Sequence, residues 1–259
     1  MTNKEAADQL IWNLRLDFDP VGIRFVKDDA DREKLPVTHR AKARITYCQF
    51  LAAARQGGHA LFMEPEKCVC GNAQPVFGFR ELDKEGDTKR HMKYLCDEEL
   101  AWQAPQEKAR FEVGLVKGIY IAPLAKFDET DLQPDLVFMM VVPYQAYHIF
   151  NDYMGGNKRA NLQFFHTPNS AVCAGSVYAY KNNTANMTTM CAGSKTSGKT
   201  EMAYVNVFLP YEQFQKTVEQ QKWRVETMGG PSVLGKGGQQ WPGLDACKGC
   251  PLFKFEEVK

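Results

Sequence analysis

No apolar run long enough to cross a bilayer occurs in this sequence. The longest clean stretch, Leu136 to Val142, falls far short of the roughly 18 residues a spanning helix needs. A charge surplus is also missing, since 32 Lys and Arg face 31 Asp and Glu for a formal net charge of +1. Proteins that track phosphates carry a basic excess, so neither nucleic acid nor an anionic membrane surface is expected as a partner. The opening residues MTNKEAADQLIWNLRL are charged throughout and lack the apolar centre of a secretory signal. The expected location is therefore the cytoplasm, where thiols stay reduced and disulfides are the least expected use of cysteine. The motifs G-x-S-x-G, H-E-x-x-H and G-x-G-x-x-G are absent, which argues against an elbow-type serine hydrolase, a zincin and a Rossmann dehydrogenase. A C-x2-C-x2-C-x3-C-P run is missing too, so any iron–sulfur cluster must be assembled from separated segments.

What is present is an ordinary globular composition, 44% hydrophobic and 24% charged over 259 residues, enough for one large domain or two of common size. Apolar periodicity predicts helices over 4–16, 39–56, 88–113 and 143–154, another from about Ser170, and a last one opening at Pro210. Strands are predicted at 21–26, within 68–79, and at 118–124, 136–142, 160–165 and 203–209, with 181–200 a polar loop. The fold class is α+β. Two similar α/β halves, 1–125 and 126–228, pack together and precede an irregular glycine-rich tail, 229–259. In each half a helix-borne cysteine (Cys48, Cys173) is followed by loop cysteines (Cys68 and Cys70, then Cys191), a pattern consistent with either an internal duplication or coincidence.

Eight cysteines in a reducing compartment point to a soft metal: zinc, Cu(I) or iron–sulfur. Cys247 and Cys250 form a C-x2-C pair followed by Pro251, a spacing that lets two sulfurs grip one metal. Cys68 and Cys70 form a less specific C-x-C before Gly71. One zinc needs four ligands, fewer than the thiols available, and an iron–sulfur cluster is preferred, with zinc the alternative. A buried, unreactive role remains open for several of these cysteines, Cys48 above all.

Residues 193–200, GSKTSGKT, satisfy the phosphate-loop pattern G-x-x-x-x-G-K-[ST] but lack a strand before and a helix after. Lys195 and Lys199 remain as contacts for an anionic ligand, with solvated lysines the plainer reading. His166, seven residues before Cys173, could line the same pocket; His148 is read as packing.

PVGI (20–23), then C-x2-L-x2-A-x2-G (Cys48, Leu51, Ala54, Gly57), CVCGNAQPVFGF, LVFMMVVP, the segment around Cys173, and C-x-G-S-K followed by E-M and L-P-Y-E-Q-F occur in that order. Together they resemble the uncharacterised ArCR family of archaea and bacteria over about residues 8–225. The resemblance implies a ligand set of Cys48, one of Cys68 or Cys70, Cys173 and Cys191, with the terminal C-x2-C an extension. Lys195 stands where that pattern leads one to expect Arg. No activity comes with the family.

The resulting expectation is an iron–sulfur protein, with a 4Fe–4S cluster, serving as a redox protein or oxidoreductase in an anaerobic-type metabolism. Cys48, Cys70, Cys173 and Cys191 would hold the cluster between the halves, and Cys247 and Cys250, with or without Cys68, would complete a second site or cap the first. Its partner would be a small-molecule substrate or a redox partner protein, and a homo-oligomer is open. A zinc-stabilised ligand-binding module and a nucleotide-dependent enzyme are the alternatives.

Overall fold

The computed structural model describes residues 1–228; the tail with Cys247 and Cys250 lies outside the described residues. Strands β1 (Val21–Val26), β2 (Leu61–Met63), β3 (Gly118–Pro123), β4 (Leu136–Val141), β5 (Asn186–Thr188) and β6 (Val205–Pro210) form one sheet in the order β2-β3-β1-β4-β6-β5. All neighbours are antiparallel. Between and around them run helices α1 (Asn3–Leu14), α2 (Asp29–Glu33), α3 (Tyr47–Gly57), α4 (Ala73–Val76), α5 (Lys84–His91), α6 (Glu98–Glu107), α7 (Pro143–Gly156), α8 (Ala171–Lys181), α9 (Ala192–Thr196) and α10 (Tyr211–Met228). The chain is α+β, as its sequence pattern indicates. No described helix is long and apolar enough to cross a membrane.

Helices cover both faces of the sheet, which explains why β4 reads as an unbroken apolar run. Leu136, Phe138 and Met140 enter a core shared with α3, α4 and α8. Their alternates Val137, Met139 and Val141 enter a second core with α1, α7 and α10. A strand buried on both faces has no polar alternation to display. Each such side chain is worth about 1.5–3 kcal/mol of apolar burial.

Local chemistry moved several boundaries. The third helix begins at Tyr47 and not at 39, because Thr46 caps it by accepting from the Gln49 amide while Gln49 returns the bond. That reciprocal box fixes a helix start and places Cys48 in the first turn. It ends where Gly58 takes φ 66°, a conformation glycine adopts without a steric penalty. The polar section predicted as one helix over 88–113 is two, because Asp83 and Asp97 each cap a fresh N-terminus. No strand forms within 68–79: Pro75 cannot donate to a ladder, and the segment makes the short α4. Nor does 160–165 pair as a strand; the Asn186 side chain occupies the Phe165 backbone, accepting from its N–H and donating to its carbonyl. The loop 181–200 contains β5 and α9, and Pro210 closes β6 opposite Leu136 and does not open α10.

Candidate metal centre

The site is built from four short segments that the sheet brings together on one face. Thr46 starts α3 and sets Cys48. The backbone of Ile45 pairs with Lys67 and Val69, its N–H donating to Lys67 and its carbonyl accepting from Val69, which holds the Cys68–Cys70 segment beside the start of α3. Ser170, with φ 61°, turns the chain sharply into α8, where Cys173 lies in the first turn. A left-handed conformation at a buried serine is uncommon and marks a position held by its surroundings. Cys191 caps the short α9.

Cys48, Cys70, Cys173 and Cys191 line one cavity of about 60 Å³. Its wall includes Asn169 and Tyr94 and contains no Asp or Glu. Three buried polar atoms of the wall, Tyr47 Oη, Asn72 Oδ1 and Asn169 Nδ2, have no hydrogen-bond partner. Among the described residues no group of three or more His, Cys, Asp or Glu converges so as to hold a single metal ion. The six described cysteines form no disulfide.

The remaining sequence candidates fall elsewhere. Cys68 is fully buried, its sulfur in the core beneath the cavity, and burial pushes its thiol up to about 12. Residues two apart on an ideal extended backbone face the same side; this C-x-C pair departs from that, with Cys70 lining the cavity and Cys68 buried in the core. Lys195 and Lys199 are exposed and absent from the cavity wall. The segment 193–200 folds as one helical turn followed by a bend, with Lys199 at φ 48°, and leads into a strand; the strand–loop–helix cradle for phosphate is not formed. Its second glycine has a different use: a Cβ on Gly198 would lie 2.6 Å from Cys48 Cβ, so glycine permits α9 to close against α3. Buried Arg55 of α3 ties this contact, donating to the carbonyls of Gly198 at 2.6 Å and Lys199 at 3.0 Å. His166 is exposed, while His148 is buried in α7 on the opposite face.

The thiols are not equivalent. A hydrogen bond from the Cys48 thiol pulls Cys191 down to about 5, against the burial that opposes it, with the Ser194 and Gly193 backbone N–H groups assisting. The same contact, together with burial, holds Cys48 well above the ordinary thiol range. Burial, then the neighbouring Cys70 and Cys191, raise Cys173. Between these two neighbours the proton thus favours Cys48 and the thiolate Cys191, and a metal held by both must displace the proton on Cys48.

One participant was missed in the sequence. Lys108, buried at the end of α6, donates to His91 Nε2 at 2.6 Å, Asn169 Oδ1 at 2.5 Å and Ser170 Oγ at 3.0 Å. Burial lowers its ammonium to about 8, while Cys173 among other groups acts in the opposite sense. Nothing in QEKARFE distinguishes it from a solvated helix-end lysine.

No curated protein matches this chain, and no solved structure matches it. A family model does, over residues 9–220, a span that holds all four cavity cysteines and Lys108. The chain belongs to the uncharacterised ArCR family, the domain of unknown function 169.

Proposed function

We propose that this chain is an iron–sulfur redox protein whose cluster is held by Cys48, Cys70, Cys173 and Cys191. The observation that carries the reading is the meeting of four thiols, from four segments far apart in sequence, around one acid-free cavity. Thiolates without carboxylates select soft metals. Zinc held by the same four thiolates is the alternative occupant; the eight cysteines of the chain exceed what one zinc requires, which favours the cluster. When bound, the cluster would supply one-electron chemistry. The protein's part is to hold it: α3 and α8 each offer a sulfur from a first turn, and α9 and the Cys70 turn close the ring. A cytoplasmic setting, a small-molecule substrate or a redox partner protein, and an oxidoreductase role belong to the same proposal.

Anaerobic purification, with a visible spectrum and iron, sulfide and zinc analysis, tests it. Iron and sulfide near ~4 per chain in a brown protein, bleached by Cys173→Ala, is the expected result. A colourless protein with stoichiometric zinc, or Cys173→Ala with unchanged iron and colour, overturns the proposal.

A further inference from the structure

The cavity wall has no acid, yet cations gather behind it on two sides. Lys108 is 5% exposed, and all three of its ammonium hydrogens are taken by neutral acceptors. One of these, His91, donates from Nδ1 to the Asp87 carbonyl at 2.7 Å, which leaves Nε2 as the acceptor. Among the described residues no carboxylate forms an ion pair with Lys108. Arg80 and Arg90 share one buried carboxylate, Asp87. Both also lie against Gly71, next to Cys70: Arg80 donates to its carbonyl at 2.6 Å, and Arg90 would sit 3.3 Å from a Cβ there. Across the cavity, buried Arg55 has carbonyl partners and no acid.

Two buried cations, Lys108 and Arg55, thus stand near the thiols without a carboxylate of their own, while the partly exposed Arg80 and Arg90 share Asp87 behind Cys70, in a chain whose overall charge is nearly balanced. Burying a charge without a counter-charge is costly, so this arrangement needs a compensating anion. A buried donor left over on the wall points to where it sits. Lys108 grips Asn169 Oδ1 and thereby leaves Asn169 Nδ2 as the amide's free end, 2% exposed as a residue, on the cavity wall and without a partner.

We infer that the cavity is built for an occupant of net negative charge, with Lys108 as its positioning counter-cation and Asn169 Nδ2 as the donor that Lys108 directs toward it. This rests on the cluster reading and deepens it: an iron–sulfur core bound by four thiolates is itself such an anion, and a nearby cation and hydrogen bonds to its sulfurs favour the more negative, reduced state. Lys108 is not a ligand. It acts on the occupant through charge and through the amide it orients.

Two measurements test this. In the apoprotein, cavity cysteines are alkylated with anionic iodoacetate and with neutral iodoacetamide, and the labelled peptides are quantified by mass spectrometry. Relative to the same pair of reagents on glutathione, the wild-type cavity should prefer iodoacetate several-fold, and Lys108→Gln should remove most of that preference. A wild-type ratio equal to that of glutathione overturns the inference, whether or not the variant folds. In the reconstituted protein, Lys108→Gln should carry the same iron and sulfide as the wild type at a lower midpoint potential. Equal potentials at equal occupancy overturn it. Failure of the wild type to take up iron strikes the cluster reading instead, and the alkylation ratio then decides the charge of the cavity.

Discussion

The two halves of the chain use the same scaffold to different ends. Read outward from the central β1–β4 pair, each half contributes a long strand, then a second long strand, then a three-residue edge strand: β1-β3-β2 on one side and β4-β6-β5 on the other. In each, a cysteine in the first turn of a helix precedes the short strand and another follows it, Cys48 and Cys70 around β2, Cys173 and Cys191 around β5. The likeness is one of topology and does not by itself show a duplication. The difference lies in what fills the gap between the short strand and the next long one. Between β5 and β6 it is the compact α9 turn. Between β2 and β3 it is the long α4–α6 segment, which carries Arg80, Asp87, Arg90, His91 and Lys108. One half completes the thiol ring economically, and the other adds the charge that surrounds it.

The largest expected effect separates Cys70 from Cys68. Cys70→Ala should abolish the chromophore of the reconstituted protein, as Cys173→Ala should on the other side. Cys68→Ala should keep it and cost about 1–2 kcal/mol of stability, the usual result of truncating a small buried side chain. A chromophore lost with Cys68 and kept without Cys70 would break the correspondence between the halves.

Next is the pH dependence that Lys108 imposes on the apoprotein. Its ammonium is held at about 8 against an ordinary 10.5, so between those values the unfolded chain binds the extra proton and stability rises with pH. At about 1.4 kcal/mol per unit the span amounts to about 3 kcal/mol. The cost is fully present below pH 8 and relieved above 10.5. Urea denaturation from pH 7 to 10 should show wild type gaining on Lys108→Met with this slope above pH 8, the opposing effect of the raised Cys48, Cys68 and Cys173 thiols being common to both; parallel curves would remove the lysine from the account. Loading the cavity with an anion should flatten the wild-type slope.

Gly198→Ala tests the seam between the halves. Its Cβ would press on Cys48 at 2.6 Å, and overpacking of this kind costs about 1–3 kcal/mol. Thermal unfolding should register that loss, and alkylation of Cys191 in the folded protein should speed up as α9 moves off α3. Smallest is Thr46→Ala, which removes the α3 cap for about 1 kcal/mol and should loosen iron binding through Cys48 while leaving the Cys173 side unaltered.

Much of the scaffold was legible in the sequence. β1 was placed at its observed ends, and α1, β3, β4, α7 and β6 nearly so, because each is a long periodic or apolar run bounded by a breaker. Errors fell on short segments governed by a single side chain: the Thr46 box, the Asp97 cap, Pro75, and Asn186 standing in for a strand partner at Phe165. Of the cavity cysteines, the resemblance implied Cys48, Cys173 and Cys191 outright and left Cys68 and Cys70 as alternatives. Lys108 could not be found that way, since a buried lysine and a solvated one have the same local sequence.

Composition and periodicity by themselves determined the α+β class, the doubly buried β4 and an unusual stock of thiols, because apolar spacing and residue chemistry are local properties. Tertiary structure alone showed that Cys70 faces the cavity and Cys68 the core, that Gly198 belongs to a packing seam, and that Lys108 stands behind the thiols. Each of these depends on which segments the sheet brings within a few ångströms, and proximity of that kind is a property of the folded chain.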